Sequence, residues 1–227
     1  GPSHSQSMET IFAQIPSINV VLPVFPEDSE LIFKNFTKQN APTICLEHRW
    51  VHFNKYSGIR PTEFQPYVIR KGNDITIVAC GYDVVQALMV AKTMEKYAIS
   101  VEVINFFCLT PPNYDSIYQS IFKTKRLITV DINHSFYGAS SELIAQICCS
   151  GFDFTCPPTR LGAKSTFSPS SRHLSDDYFV DISDITLSIL IQLKVNSEKK
   201  EKIMKEINLL KDKLPNDVPN KGFSGPF

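Results

Sequence analysis

The first residue whose type could support acid–base chemistry is His4, in the opening segment Gly1–Ser7 (GPSHSQS). An imidazole with an ordinary pKa of about 6.5 gives or takes a proton near neutral pH at small cost, so His4 is a candidate for proton transfer. Ser5 and Gln6 could orient the ring, although Ser5 or Ser7 could equally cap a helix. The alternative is a loop histidine that only hydrogen-bonds to backbone.

Six cysteines could act as nucleophiles or metal ligands: Cys45, Cys80, Cys108, Cys148, Cys149 and Cys156. They show no C-x-x-C spacing, and most lie in apolar runs such as VAC, FFC and QICC. This pattern predicts buried free thiols in a reducing compartment rather than a zinc site or disulfides. Cys80 and Cys108 lack a nucleophile-elbow pattern or a base at recognisable spacing, so we expect no hydrolase chemistry there.

Further polar residues could bind a ligand, each with a structural alternative. Arg49, in the LEHRW segment, could contact a substrate carboxylate, but pairing with Glu47 is favoured. Gly81 comes between an apolar run and a helix start, where anions can bind. Because GYD lacks the glycine pattern of a dinucleotide site, a tight turn is favoured. Arg172 and His173, in a serine-rich loop, are interpreted as surface residues.

The hydrophobic pattern predicts the elements that position these residues. Residues 18–22, 27–38 and 43–46 read as strand, helix and strand, and the polar stretch 54–66 reads as a linker. Strands and helices then alternate, with strands at 75–80, 101–106 and 127–131 and helices at 83–97, 114–122, 140–149 and 182–193. Apolar strands separated by helices predict a mainly parallel sheet covered on both faces, and therefore an α/β fold.

Residues 196–214 predict an amphipathic helix. Its apolar stripe consists of Ile203, Ile207, Leu210 and Leu214. A stripe this narrow packs either on its own domain, which we favour, or on a partner. Beyond Pro215 the chain is expected to be irregular or disordered.

Composition excludes several classes of partner. The chain is 43% hydrophobic and 20% charged, and its 23 Lys and Arg balance 23 Asp and Glu. This balance favours neither nucleic acid nor an anionic membrane surface. No apolar run approaches the roughly 20 residues of a membrane span, so we expect a soluble intracellular protein, cytoplasmic or in a mitochondrial matrix or organelle.

In unbroken order over residues 1–193, the sequence resembles beta subunits of thiamine-diphosphate-dependent 2-oxo acid dehydrogenases, of the pyruvate and branched-chain type. The early motifs match the second half of their pyrimidine-binding domain: Gly1–Ser7, Ile15-Pro16, Val20–Pro23, Pro26–Asp28, Pro42 and Leu46-Glu47. The later motifs match their transketolase C-terminal domain: Gly72, Asp74–Val78, Val103–Asn105, Leu109–Pro111, Val130-Asp131, Gly138 and Glu142. A cloning linker would not also supply His4 and Gln6 at family spacing, so the opening segment is interpreted as native.

The resemblance implies a three-layer, transketolase C-terminal-like domain with a mainly parallel sheet, preceded by a partial α/β pyrimidine-binding domain. The expected boundaries are 1–53 for the pyrimidine-binding part, 54–66 for the linker, 67–194 for the C-terminal-like domain and 195–227 for the amphipathic helix and tail. On this interpretation the chain starts in the middle of a domain, as a fragment or as a naturally split subunit.

The resemblance also implies thiamine diphosphate and Mg²⁺ in the complete enzyme, with ligands largely outside this chain. The family's activating glutamate lies upstream of the Gly-Pro-x-His segment, and no Gly-Asp-Gly run with a following Asn is present. His4 is the implied catalytic residue, facing the thiazolium ring and the substrate carbonyl, and the isolated chain is expected to be inactive. Some relatives bind K⁺ through an Asp and an Asn, but Gln39 and Ala41 stand at those positions, so no metal is assigned.

The implied partners are an alpha-type subunit, a second copy bound through the C-terminal domain, and a lipoyl acyltransferase core, with no nucleic acid and no membrane. His134 and Tyr137 lie just beyond a strand, where open α/β sheets bind ligands. In the family this edge meets a neighbouring subunit, so we favour an interface role over a catalytic role for His134 and Tyr137. Two alternatives stay open: a non-catalytic assembly module, and a split transketolase-type enzyme.

Overall fold

A computed structural model describes residues 5–211, apart from residues 37, 39, 53, 56 and 176, and for Arg172 and His173 it describes the backbone alone. The elements in chain order are α1 (Glu9–Ala13), β1 (Asn19–Val21), α2 (Pro26–Phe36), β2 (Thr43–Cys45), β3 (Tyr67–Arg70), β4 (Ile75–Ala79), α3 (Tyr82–Glu95), β5 (Val101–Asn105), β6 (Cys108–Thr110), α4 (Asp115–Thr124), β7 (Leu127–His134), α5 (Ala139–Cys149), β8 (Thr159–Ala163), α6 (Arg172–Ser175), α7 (Ile182–Gln192) and α8 (Ser197–Lys211). A 3₁₀ turn spans Arg49–Val51.

The larger sheet has five strands in the order β3-β5-β4-β7-β8. The β4, β5, β7 and β8 pairings are parallel, and β3 joins antiparallel to β5. Helices α3, α7 and α8 bury their apolar faces against one side of this sheet, whereas α4 and α5 cover the other. The fold is therefore α/β with three layers and a mainly parallel sheet, as the sequence predicted.

The central strand β4 shows why its sequence, ITIVA, is apolar throughout. All five residues are buried, since alternate side chains contact helices on opposite faces. The polar member, Thr76, hydrogen-bonds through its Oγ1 to the hydroxyls of Ser120 at 2.6 Å and Thr124 at 2.7 Å, both on α4. The hydroxyl is thus satisfied within the core.

The smaller sheet has three strands in the order β2-β1-β6. Strand β1 is parallel to β2 and antiparallel to β6. Strand β6 comes from the later part of the chain, between β5 and α4, so it joins the two sheets. The Thr110 hydroxyl reinforces this contact by donating to the Ile18 carbonyl and accepting from the Val20 amide, both at 2.8 Å.

A buried carboxylate makes a second connection between the sheets. Asp28, at the start of α2, is fully buried and accepts from the backbone amides of Val24 and Phe25, each at 2.9 Å. It also accepts from the Tyr67 hydroxyl on β3 at 2.8 Å and from Asn105 Nδ2 on β5 at 2.9 Å. Four donors compensate for the lost hydration of one carboxylate and fix α2 against the larger sheet.

Helix α8 packs on its own chain. Ile203 and Ile207 are fully buried in the core cluster that also includes α3 and α7. Glu206 accepts from Lys96 Nζ at 2.5 Å and from the Tyr97 hydroxyl at 2.7 Å. The favoured interpretation of the apolar stripe is confirmed for these positions, whereas Leu214 and the tail lie outside the described residues.

Five elements were not predicted: α1, β3, β6, β8 and α6. Each spans between three and five residues, and its sequence showed no distinct hydrophobic pattern. The searched residues contain no helix long and apolar enough to cross a bilayer. The proposed domain boundaries stay a prediction.

Candidate functional site

Buried polar residues collect where the parallel strands β4 and β7 end. Cys80 and Asp83 follow β4, while Asp131 and His134 lie on the last half of β7. The carboxyl ends of neighbouring parallel strands are the usual ligand-binding edge of an open α/β sheet. This edge is therefore the candidate functional site.

Gly81 makes the turn from β4 into α3 in a left-handed conformation, with φ of 56°. A Cβ atom built on Gly81 would lie 2.6 Å from Ile132 Cδ1, so a side chain there would also collide with β7. The prediction of a tight turn is confirmed.

The N-terminal segment, residues Ser5–Ala13, packs against this edge. Asn133 Nδ2 donates to the Ser7 carbonyl at 2.5 Å. The Gln6 side chain lies near Tyr178, in the loop before α7, and lowers the pKa of the Tyr178 hydroxyl in part. The segment that directly follows His4 is therefore held at the carboxyl ends of β4 and β7, whereas His4 itself lies outside the described residues.

Glu9, on α1, points its carboxyl group into the protein. The residue is 1% exposed, and neither carboxyl oxygen has a hydrogen-bond partner in the structure. Burial raises the pKa of Glu9, and the Ser7 side chain, the Glu9 backbone and His134 lower it only in part. The Ser7 side chain acts from outside hydrogen-bond geometry, because neither carboxyl oxygen of Glu9 has a partner within it. A buried carboxyl without donors favours the protonated form.

Asp131 caps helix α5. Its Oδ1 accepts from the Ser140 amide at 2.9 Å, and its Oδ2 accepts from the Ser140 hydroxyl. A Cβ atom on Gly138 would lie 2.5 Å from Asp131 Oδ2, so only glycine allows this close approach. Burial raises the pKa of Asp131 to about 6, and the charge of Glu9 contributes to this rise.

Asp83 completes a cluster of three buried carboxyl groups, Glu9, Asp83 and Asp131, which we call the carboxyl cluster. Asp83 Oδ1 accepts from Gln86 Nε2 at 2.7 Å. Burial raises the pKa of Asp83 to about 7, and the charges of Asp131 and Glu9 contribute to this rise. Among the described residues, no group of three or more His, Cys, Asp or Glu side chains is arranged to hold a metal ion.

The sequence did not single out Glu9 or Asp83, and it named Asp131 only as part of a motif. Nothing in the segment SMETIFA distinguishes a buried glutamate from the exposed glutamate of an ordinary short helix. The one available signal was the position of Glu9 five residues after His4.

His134 and Tyr137 differ in their surroundings. His134 is partly buried, with Nδ1 3.4 Å from the Ala163 carbonyl oxygen and the ring edge-on to Tyr178. Tyr137 is 74% exposed and lies edge-on to Phe136, itself 68% exposed. The described residues leave this aromatic pair uncovered, and its place in an interface stays a prediction.

Arg49 does not pair as expected. Glu47 Oε2 instead lies 3.2 Å from His52 Nε2, so the predicted pairing of Glu47 with Arg49 is wrong. The 3₁₀ turn Arg49–Val51 separates the two residues, and its C-cap His52 lies beside Glu47. Glu47 and His52 line an open cavity of about 370 Å³ at the carboxyl ends of β1 and β2.

His48 is a structural residue. Its ring stacks on Tyr82, the first residue of α3, with centroids 5.4 Å apart, and its Nδ1 accepts from the Trp50 amide at 3.2 Å. Burial lowers the pKa of His48 to about 4, so the imidazole is neutral at physiological pH. Trp50 lies edge-on to the same Tyr82 ring at 5.0 Å, and this aromatic group links the smaller sheet to α3.

All six cysteines are free, as predicted, but the expectation that most are buried is wrong. Cys80 and Cys108 are buried, and burial raises the pKa of the Cys108 thiol to about 12, which makes it a poor nucleophile. Cys45, Cys148 and Cys149 are exposed. In the run QICC, Ile147 enters the core and the two following cysteines lie on the outer side of the last turn of α5.

Comparisons with known proteins give a consistent result. Residues 66–185 match the family described as "Transketolase, C-terminal domain". The chain is 28% identical over 199 residues to the mitochondrial pyruvate dehydrogenase E1 component subunit beta of Saccharomyces cerevisiae, a match that covers 83% of this chain and 54% of the relative. It is 30% identical over 203 residues to the acetoin:2,6-dichlorophenolindophenol oxidoreductase subunit beta of Bacillus subtilis, covering 85% and 59%.

Among solved structures, one described as "Split gene transketolase, inactive beta4 tetramer" superposes with a TM-score of 0.71 and 22% identity. This match covers 86% of the chain and 64% of that structure. It shows a common fold. The chain spans about half the length of the curated relatives it matches.

Proposed function

Because the chain belongs to the transketolase C-terminal domain family, we propose that it works as the beta-subunit-like part of a thiamine-diphosphate-dependent 2-oxo acid dehydrogenase. The observation that carries the proposal is similarity along both sheets, since the match to the yeast E1 beta subunit covers 83% of the chain. Fold alone would not suffice, because one fold supports many activities.

The proposal assigns most of the cofactor contacts to other polypeptide. Thiamine diphosphate supplies a nucleophilic carbanion when it is bound. Among the described residues, no group of three or more His, Cys, Asp or Glu side chains could by itself hold the Mg²⁺ that accompanies its diphosphate. Its ligands are therefore proposed to lie outside the described part of this chain.

The chain's own chemical contribution is proposed to be His4. An imidazole near the substrate carbonyl would donate or accept a proton as the carbonyl is attacked and the acyl group leaves. The proposal is supported by the contacts of Gln6, Ser7 and Glu9, which hold the segment after His4 at the ligand-binding edge of the larger sheet.

The remaining parts of the proposal concern assembly. We propose an alpha-type subunit as the partner that completes the cofactor site, a second copy bound through the transketolase C-terminal-like domain, and a lipoyl acyltransferase core as acyl acceptor. The boundaries 1–53, 54–66, 67–194 and 195–227 belong to the same proposal. We propose a location in the cytoplasm or, in a eukaryote, in the mitochondrial matrix or another organelle; the mitochondrial yeast relative supports the second of these.

The test is reconstitution of activity. The chain is combined with alpha-type subunits, with thiamine diphosphate, Mg²⁺ and a panel of 2-oxo acids, and 2,6-dichlorophenolindophenol reduction is followed. A parallel arm adds the N-terminal portion of a beta-type relative. We expect no turnover by the chain alone and cofactor-dependent turnover in a completed assembly. Absence of turnover in every combination would contradict the proposal.

The second candidate is a non-catalytic assembly module. It is supported by the neighbour described as an inactive beta4 tetramer of a split-gene transketolase, which is a beta-type chain without activity by itself. Stable binding of an alpha-type subunit without turnover in any arm would favour this candidate. Transfer of a two-carbon ketol unit between sugar phosphates would instead favour a split transketolase.

A further inference from the structure

The carboxyl cluster joins three separate elements without forming an ion pair. Glu9 comes from α1, Asp83 from α3 and Asp131 from β7, and they are 1%, 7% and 3% exposed. Asp83 and Asp131 each accept hydrogen bonds, whereas both oxygens of Glu9 are without a partner. The least compensated carboxyl group is therefore the one that the N-terminal segment contributes.

The other titratable and charged groups around the carboxyl cluster compensate the burial of Glu9 only in part, through His134. They are Cys80 at the end of β4, His134 on β7 and Arg160 on β8. Arg160 acts on Asp131, but its Nη2 donates to the Ser135 carbonyl and to Ser141 Oγ rather than to the cluster. The buried thiol of Cys80 carries no compensating charge.

Three negative charges in this space would be costly, because burial penalises each of them and the charge of Glu9 raises the pKa of both Asp83 and Asp131. While Glu9 is packed in the cluster, the carboxyl groups of the cluster must therefore keep protons that water-exposed carboxyl groups would release. Residues 5–13 contribute no strand to the larger sheet, so Glu9 can leave the cluster without breaking a strand pairing there.

We propose that the carboxyl cluster is a proton-dependent contact that holds the N-terminal segment on the larger sheet, closed while the cluster is protonated and opening as it ionises. Protonation thereby controls the position of the segment that follows His4. The inference concerns the conformation of the chain and does not depend on the proposed function.

The direction of the pH dependence follows from linkage. The pKa values of Glu9, Asp83 and Asp131 are raised in the closed state, so closure binds protons. Its stabilising contribution is complete below the ordinary carboxyl pKa of about 4 and is lost as pH rises to about 7, the highest value in the cluster. For each proton released on opening, the equilibrium constant between the closed and open states changes about tenfold per pH unit within that window.

Hydrogen exchange measured by mass spectrometry on the full 227-residue chain tests the proposal. Protection factors, corrected for intrinsic exchange rates, are compared between pH 5.5 and 7.5 for a peptide spanning residues 5–18. In the wild type we expect the protection factors of this peptide to fall at least about tenfold from pH 5.5 to pH 7.5. A peptide spanning β4 in the same digest should keep its protection.

The variant Glu9→Gln keeps the shape of the side chain but cannot ionise. In this variant the protection factors of residues 5–18 should therefore fall less than about threefold from pH 5.5 to pH 7.5. Glu142→Gln is the matched control, because it makes the same change at an exposed residue of α5, and it should behave as wild type. Asp83→Asn provides a second variant in the cluster should Glu9→Gln fail to fold, and it should also reduce the fall.

Two results would overturn the proposal. The first is pH-independent protection of residues 5–18 in the wild type. The second is a fall in folded Glu9→Gln as large as in the wild type. Thermal unfolding followed by circular dichroism at both pH values establishes that each variant is folded.

Discussion

Two residues near the start of this sequence, His4 and Glu9, have distinct chemical roles at the residue scale. His4 is proposed to transfer a proton to or from the substrate, while Glu9 is proposed to hold the segment through a protonated, buried carboxyl group. Glu9 is 1% exposed and Asn133 holds the Ser7 carbonyl, so the peptide between the two positions is fixed on its C-terminal side. Positioning and proton transfer are therefore separable by mutation.

In a reconstituted assembly, His4→Ala should lower kcat by roughly 10²–10⁴-fold, the usual loss when an acid–base group is removed. The measurement is steady-state turnover of the preferred 2-oxo acid. His173→Ala is the matched control, since no sequence motif assigns that histidine a role. Unchanged turnover in His4→Ala would remove this residue from the active site.

At the scale of elements, a short strand connects the two sheets and a long helix completes the hydrophobic core. Strand β6 has three residues, yet it joins the smaller sheet to the later part of the chain by pairing with β1. Helix α8 has fifteen residues and closes the core over α3 and α7 through Ile203 and Ile207. Its apolar stripe is thus used within the chain.

Ile207→Ala should lower the free energy of unfolding by about 2–5 kcal/mol, because it leaves a cavity at a fully buried position. Urea denaturation followed by circular dichroism measures this change. Leu209→Ala, two residues away on the same helix and 55% exposed, should stay within about 0.5 kcal/mol of wild type. Equal losses in both variants would contradict the packing of α8 described above.

At the scale of the whole molecule, the two sheets meet through several independent contacts. They include the β1–β6 pairing, the Asp28 hydrogen bonds and the aromatic group of His48, Trp50 and Tyr82. The exposed aromatic pair Phe136 and Tyr137 lies beyond β7, at the edge proposed to meet another subunit. An uncovered aromatic pair is typical of an interface.

The purified chain should therefore sediment as a dimer at micromolar concentration. Phe136→Glu should raise the dimer dissociation constant by at least about tenfold, because it places a charge in an apolar contact. Phe33→Glu is the control: Phe33, on α2, is also 68% exposed but lies far along the chain from this edge. A monomer at micromolar concentration, or equal weakening by both variants, would argue against this interface.

The sequence by itself determined the elements whose residues repeat over several turns or fill a whole strand. Helices α3, α5 and α7 and strands β4 and β5 lie within a few residues of their predicted positions, since continuous apolar strands and amphipathic helices are local signals. The ordered series of motifs also identified the family. The α/β class and the mainly parallel sheet follow from that alternation.

Only the tertiary structure decided which short segments pair and which polar residues are buried. The Val20 amide donates to the Thr110 hydroxyl, ninety positions away, and Asn133 Nδ2 donates to the Ser7 carbonyl, 126 positions away. Burial of Glu9 and exposure of Cys148 likewise depend on which distant surface covers a short helix or a last turn. A local hydrophobic pattern carries no information about such contacts, because they form between segments whose separation along the chain exceeds any helical or strand period.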